Sequence, residues 1–137
     1  ILAGTVGGME RLLTDSIRYA RERQQFGRPI ASFASVAMRL VDMKVRLESA
    51  RLSVYRAAWE KMLGTDASTR AAIAKLVVSD AYQATAIDAM EIRGGYGYLA
   101  EHEIERDVRD ALGSSIYSGT SDIQRLVIAR GLGLRIE

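Results

Sequence analysis

Residues Ser32 to Leu63 read SFASVAMRLVDMKVRLESARLSVYRAAWEKML. Val36, Leu40, Met43, Leu47, Ala50, Val54 and Ala58 recur there at spacings of three or four, which places them on one face of an α-helix. A strand would alternate every second residue, and no part of this stretch sustains that period. Gly64 follows as a fitting helix stop. The same spacing extends in both directions. Upstream, Leu2, Val6, Met9, Leu13, Ile17 and Ala20 share a face until Phe26-Gly27-Arg28-Pro29, where glycine and the chain's only proline forbid continuation. Downstream, Asp66 or Ser68 can cap a third helix running to Gly94-Gly95, with small inner residues (Ala72, Ala81, Ala84, Ala89) that allow close helix approach. After Tyr96-Gly97-Tyr98 a shorter helix carries Ile104, Val108 and Leu112. A turn with Gly113 and Gly119 leads to a last helix, capped by Thr120, Ser121 or Asp122 and ended by Gly131. Three long and two shorter helices joined by short turns predict an all-α, antiparallel (up-down-up-down) bundle over residues 1–137, with no repeat or linker dividing it.

Composition narrows the function classes. The chain has 137 residues, 48% hydrophobic and 26% charged, which suits one globular domain with a single core. It has no cysteine, so disulfides and thiolate metal sites are absent, and the single histidine, His102, cannot build a zinc site alone. No apolar run approaches the roughly 20 residues of a membrane span. The net charge of +2 is spread among interspersed acids and bases, without the one-sided basic stripe of a nucleic-acid binder. The chain opens with Ile1 inside a helical pattern, so a fragment of a larger protein is expected.

Four stretches are unusual for a purely structural bundle: Arg21 to Ile30; Arg93-Gly94-Gly95-Tyr96-Gly97-Tyr98; Glu105 to Ala111; and Ile116 to Arg125. Each has a structural explanation. Arginines suit a helix C-terminus, glycines stop helices, and alternating charges make intrahelical ion pairs. The glycine stretch follows no strand and is not a dinucleotide fingerprint. A glycine loop opening a helix also leaves N–H groups free for an anion or a carbonyl oxygen.

Taken together and in order, the four stretches resemble the C-terminal domain of the acyl-CoA dehydrogenase family. The carriers are Arg23 with Phe26-Gly27 and Pro29-Ile30, Gly94 to Tyr98, Arg109-Asp110-Ala111, and Ile116 to Arg125. The resemblance implies a larger enzyme with an N-terminal helical domain and a middle β-domain. It implies FAD bound across a subunit interface, an acyl-CoA substrate, dimer or tetramer self-association and electron-transfer flavoprotein as electron acceptor. It also implies the cytoplasm in a bacterium or the mitochondrion in a eukaryote, although the residues carry no address. By position, Arg23, Gln25 and Phe26 are implied to touch a neighbouring subunit's FAD, with the Arg23 guanidinium at the pyrophosphate. Ile30, Phe33 and Val36 would pack near that cofactor, and Glu91 and Gly95 would lie against it. Thr120 and Asp122 would meet the subunit's own FAD. Tyr117, Gly119 and Arg130 would border the acyl-CoA pocket.

Three positions depart from the family pattern: Ala34 and Glu91 stand where glutamine is usual, and Ser118 stands where the catalytic glutamate commonly sits. A carboxylate at Glu91 would repel phosphates unless Arg93 or Arg23 offsets it. Ser118 cannot take an α-proton, because an unassisted hydroxyl is too weak a base. Its backbone N–H can still hold a thioester oxygen. Family members of the isovaleryl and long-chain types carry the glutamate on the first helix of this domain. That register puts it about one helical turn before Ile1, and Glu10 lies roughly two to three turns too far along.

Overall fold

A computed structural model describes residues 1–135. Three long helices, α1 (Leu2–Glu22), α2 (Ala34–Met62) and α3 (Ser68–Arg93), are followed by α4 (Gly95–Tyr98), α5 (Ile104–Gly113) and α6 (Ser121–Gly131). The three long and two shorter helices expected from the sequence are therefore present, with α4 as an additional single turn. Between α1 and α2 lies a minimal hairpin, β1 (Gln24–Gln25) against β2 (Arg28–Pro29). A 3-10 turn over Ile30–Ser32 then delays the start of α2 to Ala34, two residues after the expected point. Pro29 imposes an extended backbone there. Ser32 Oγ closes the turn by donating to Pro29 O at 2.7 Å.

The core forms where α1, α2 and α3 meet. Met9, Leu12, Met43, Leu47 and Val78 are fully buried, and each contributes about 1.5–3 kcal/mol by leaving water. Leu12 and Ser16 join the expected inner face of α1, whereas Ala58 of α2 is exposed. Helix α3 is the central post, in contact with α1, α2, α4, α5 and α6. It is accordingly buried on several sides, chiefly by small residues including Ala72, Ala74, Ala81, Ala86 and Ala89. Gly97 seats α4 on α3. A Cβ at that position would lie 2.5 Å from Met90 O, so no larger residue fits without moving backbone.

Helix α6 is capped by Thr120 as expected, whereas the capping position of α3 is Ala67, between the expected Asp66 and Ser68. Asp66 Oδ1 accepts from the Ser68 N–H at 2.9 Å, and Thr120 Oγ1 accepts from the Ile123 N–H at 3.4 Å. On the face of α2 turned away from the core, Met38, Val41, Val45, Leu52, Tyr55, Trp59 and Met62 are all exposed. Their helical spacing makes an apolar stripe, interrupted between Val45 and Leu52 by Glu48.

Candidate functional site

The hairpin between α1 and α2 projects into solvent through two left-handed residues, Phe26 (φ 52°) and Gly27 (φ 78°). Two consecutive positive φ angles are what a two-residue hairpin needs to match strand twist. Glycine adopts that conformation freely, but phenylalanine does not. Phe26 is also 90% exposed, its ring meeting the edge of Phe33 at 6.0 Å between centroids. A strained backbone presenting an aromatic ring to water has no internal justification, and such strain concentrates at binding sites.

That ring forms one wall of a cleft of about 750 Å³. Eight of the ten residues for which the family resemblance implies cofactor contact line it: Arg23, Gln25, Phe26, Ile30, Phe33, Val36, Glu91 and Gly95. The hairpin and the end of α1 supply the first three, the 3-10 turn and start of α2 supply Ile30, Phe33 and Val36, and the end of α3 supplies Glu91 and Gly95. The walls are apolar, and charge is confined to a few points. Arg23 makes no ion pair among the described residues, and its guanidinium lies 5.2 Å from the Tyr96 ring centroid. Open space lies beside Gly94 and Gly95, where no heavy atom would come within 4 Å of an added Cβ.

The charge balance at Glu91 differs from the sequence reading. Neither Arg93 nor Arg23 offsets its carboxylate. Arg93 turns inward, donating to Ser16 Oγ at 3.1 Å and Ala89 O at 2.8 Å, with its guanidinium over Tyr19. The cation that pairs with Glu91 is Arg39 of α2. Arg39 also donates to Asp88 Oδ1 at 2.8 Å, and Asp88, itself buried, accepts from Arg46 at 2.5 Å. A four-residue ionic clamp thus joins α2 to α3 and neutralises the carboxylate at the cleft. Sequence alone does not point to Arg39, because nothing in it reveals which face of α2 meets the end of α3. Tyr96, from the Gly94–Tyr98 motif, also lines the cleft, and so does Tyr19, which lies outside the motifs. Tyr19 precedes Arg23 by one helical turn, a spacing that is the signal for it.

The remaining predicted site residues lie elsewhere. Tyr117 lines a second cleft with Gly4 and Thr5 of α1, Tyr82 of α3, and Arg109, Asp110 and Gly113 of α5. Burial raises the Tyr82 phenol above its ordinary pKa. Arg109 pairs with Glu105 at 2.9 Å, the intrahelical pair expected of that stretch. Ser118 is left-handed (φ 57°) and followed by Gly119 at φ 90°. Gln124 Nε2 donates to Ser118 O and Gly119 O, both at 3.3 Å, which fastens the loop to α6. The Ser118 N–H has no hydrogen-bond partner among the described residues. Thr120 and Asp122 form the opening of α6, away from the first cleft, and Arg130 lies at the other end of that helix.

The chain is an all-helical bundle with an apolar cleft beside an arginine that makes no ion pair among the described residues. The acyl-CoA dehydrogenase C-terminal domain family matches residues 1–133, and the chain belongs to that family. It is 45% identical over 134 residues to an L-prolyl-[peptidyl-carrier protein] dehydrogenase of Pseudomonas fluorescens, covering 98% of this chain and 35% of that protein. It is 40% identical over 132 residues to a short-chain-specific acyl-CoA dehydrogenase of Megasphaera elsdenii, covering 96% and 34%. Among solved structures, the prolyl acyl carrier protein oxidase AnaB superposes with a TM-score of 0.93 at 52% identity, over 97% of this chain and 35% of AnaB. The FAD complex of PigA superposes with a TM-score of 0.93 at 44% identity, over 98% and 35%. The chain therefore spans about a third of the length of the relatives it matches.

Proposed function

We propose that this domain completes the flavin site of a thioester dehydrogenase, which removes a proton from Cα and a hydride from Cβ of a saturated acyl group. The observation that carries the reading is the convergence of Arg23, Phe26, Phe33, Glu91 and Gly95 on one cleft. These residues suit FAD. Arg23 is an uncommitted fork of donors for pyrophosphate oxygens. The apolar wall and exposed Phe26 ring can cover the flat parts of the cofactor, and Arg39 removes the repulsion that Glu91 would exert on phosphates. Bound FAD supplies the hydride acceptor. The first cleft faces outward from the domain, which fits a cofactor held mainly by a neighbouring subunit, with Thr120 and Asp122 addressing the subunit's own. The exposed apolar stripe on α2 is the surface expected to pack in a dimer or tetramer.

The second cleft, which Tyr117 alone of the three predicted substrate residues lines, is the site proposed for the thioester. The Ser118 N–H, without a partner among the described residues, suits holding the thioester oxygen as negative charge develops. Gly4 lines the same cleft as Tyr117. A glutamate about four residues before Ile1 would lie about seven before Gly4, on the same face of a continued helix. A base there would approach the carbon next to the thioester from the α1 side.

The substrate proposed is an acyl thioester, with a prolyl group on a peptidyl carrier protein as the first candidate and an acyl-CoA as the second. The two relatives at 45% and 52% identity act on carrier-bound prolyl groups by name, and the acyl-CoA enzyme stands at 40%. Electron-transfer flavoprotein is the proposed oxidant of the reduced enzyme. The test is anaerobic mixing of the full-length holoprotein with each thioester. Bleaching of the oxidised flavin band by one of them is expected. No bleaching by either would favour a non-catalytic flavin-binding subunit, the reading that Ser118 in place of glutamate also suggests.

A further inference from the structure

Helix α3 carries a lysine among its small inward-facing residues. Lys75 is buried, between Ala74 and the core residue Val78, and no carboxylate among the described residues forms an ion pair with it. Burying an ammonium without a counter-ion is costly, and burial pushes its pKa down, with only partial opposition from Asp80. An uncharged side chain of similar length would fill the space without that penalty. The position calls for a reason other than packing.

The partners of the ammonium supply one. Lys75 Nζ donates to Ser114 O at 2.6 Å and to Ser79 Oγ at 3.2 Å, and the Ser79 hydroxyl donates to the same Ser114 O at 2.9 Å. Ser114 is buried at the C-terminal end of α5, where a helix leaves carbonyls unsatisfied and its dipole favours a cation. From that point the chain turns through Ser115 to Thr120, the loop that carries Tyr117, Ser118 and Gly119. The Tyr117 ring centroid lies 5.9 Å from the ammonium. The loop is thus held at its root by Lys75, on Ser114 O, and at its far side by Gln124, on the two left-handed residues Ser118 and Gly119.

We propose that Lys75 is a positioning residue for the thioester reaction: its ammonium anchors the root of the Tyr117–Ser118–Gly119 loop, and so holds Tyr117 in the lining of the second cleft and fixes the backbone of Ser118, the next residue along. This rests on the thioester-dehydrogenase reading above. Lys75 acts through the loop rather than on the substrate. Because a buried charge is removed along with its bond to Ser114 O, Lys75→Met can loosen the loop root without a matching loss of stability, and so separates positioning from stability.

The experiment uses the full-length holoprotein as wild type, Lys75→Met, Lys75→Arg and, as a control, Lys44→Met, an exposed lysine paired only with Glu48. For Lys75→Met, kcat is expected to fall about 10- to 100-fold, as small misplacements of a catalytic group do, with KM changing much less. Amide exchange is expected to quicken in residues 115–120 but not in α1 or α2, with the melting temperature within about 2 °C of wild type. Lys75→Arg should recover part of kcat, and Lys44→Met should match wild type throughout. Unchanged exchange in residues 115–120 of Lys75→Met, or an unchanged kcat, would overturn the assignment. A Lys75→Met protein that fails to fold would overturn it in favour of a purely structural lysine. If the wild type oxidises no thioester, the functional reading falls, and the exchange data still decide whether Lys75 anchors the loop.

Discussion

Replacing Arg23 by alanine separates cofactor binding from helix capping by magnitude. Arg23 closes α1 with its backbone, the N–H donating to Tyr19 O at 2.8 Å, and that bond survives the substitution. The side chain has no ion pair among the described residues, and its internal interaction is the contact with Tyr96 at 5.2 Å. Such a cation–π contact contributes about 0.5–1 kcal/mol at an exposed site, and a helix-end charge about 0.3–1 kcal/mol. A charged hydrogen bond to a phosphate contributes roughly 1.5–3 kcal/mol, which corresponds to about a 10- to 150-fold weaker Kd. In the full-length protein, Arg23→Ala should therefore lose FAD affinity by that factor while losing no more than about 1–2 kcal/mol of stability. Titration of the apoprotein with FAD, followed by flavin fluorescence, gives the first quantity, and thermal unfolding of the apoprotein gives the second. An unchanged Kd with a lowered melting temperature would refute the phosphate role and leave Arg23 as a helix-end residue.

Other consequences are equally specific. The isolated chain should be helical, colourless and self-associating, since it holds only part of the flavin site and exposes the α2 stripe; stoichiometric yellow flavin, or a monomer by sedimentation, would contradict this. Arg39→Met should weaken FAD binding by exposing the Glu91 carboxylate to phosphates, and adding Glu91→Gln should restore it; equal losses in single and double variants would rule out the offsetting role. Ser118→Ala should keep most activity in steady-state assays of the full-length enzyme, because only the N–H is used, whereas removing a glutamate found about one turn before Ile1 should cost ~10²–10⁴-fold or more. Burial holds the folded-state pKa of Lys75 below its ordinary value, which is about 10.4 in an unfolded chain. Between the two values the unfolded chain binds more protons, so Lys75 makes stability rise with pH across that window. Urea unfolding of the isolated domain should lose that part of the rise in Lys75→Met.

The fold is legible because its helices obey one period and their ends carry the usual stops. Thr120 caps α6 as its side-chain chemistry suggests, Asp66 accepts from the first N–H of α3 although Ala67 holds the capping position, and Gly94 ends α3. The separate turn over Ile30–Ser32 is not legible, since those residues are compatible with a helix and only Pro29 before them resists it. The family's spaced motifs mark the first cleft, but local pattern cannot reveal contacts between distant helices. Arg39 meeting Glu91 and Lys75 meeting Ser114 both depend on how α3 packs against its neighbours. Lys75 does leave a trace, a charge on an alanine-lined inner face. Phe26 is the opposite case: its identity is read from the motif, while its left-handed strain appears only in three dimensions.

The central claim is that the Arg23–Phe26–Glu91–Gly95 cleft is part of a flavin site completed by another subunit. A crystal structure of the full-length, FAD-bound protein tests it most directly. The FAD of a neighbouring subunit is expected in this cleft, with its pyrophosphate within hydrogen-bonding distance of Arg23. A flavin bound elsewhere, with this cleft closed by the protein's own chain, would contradict the claim.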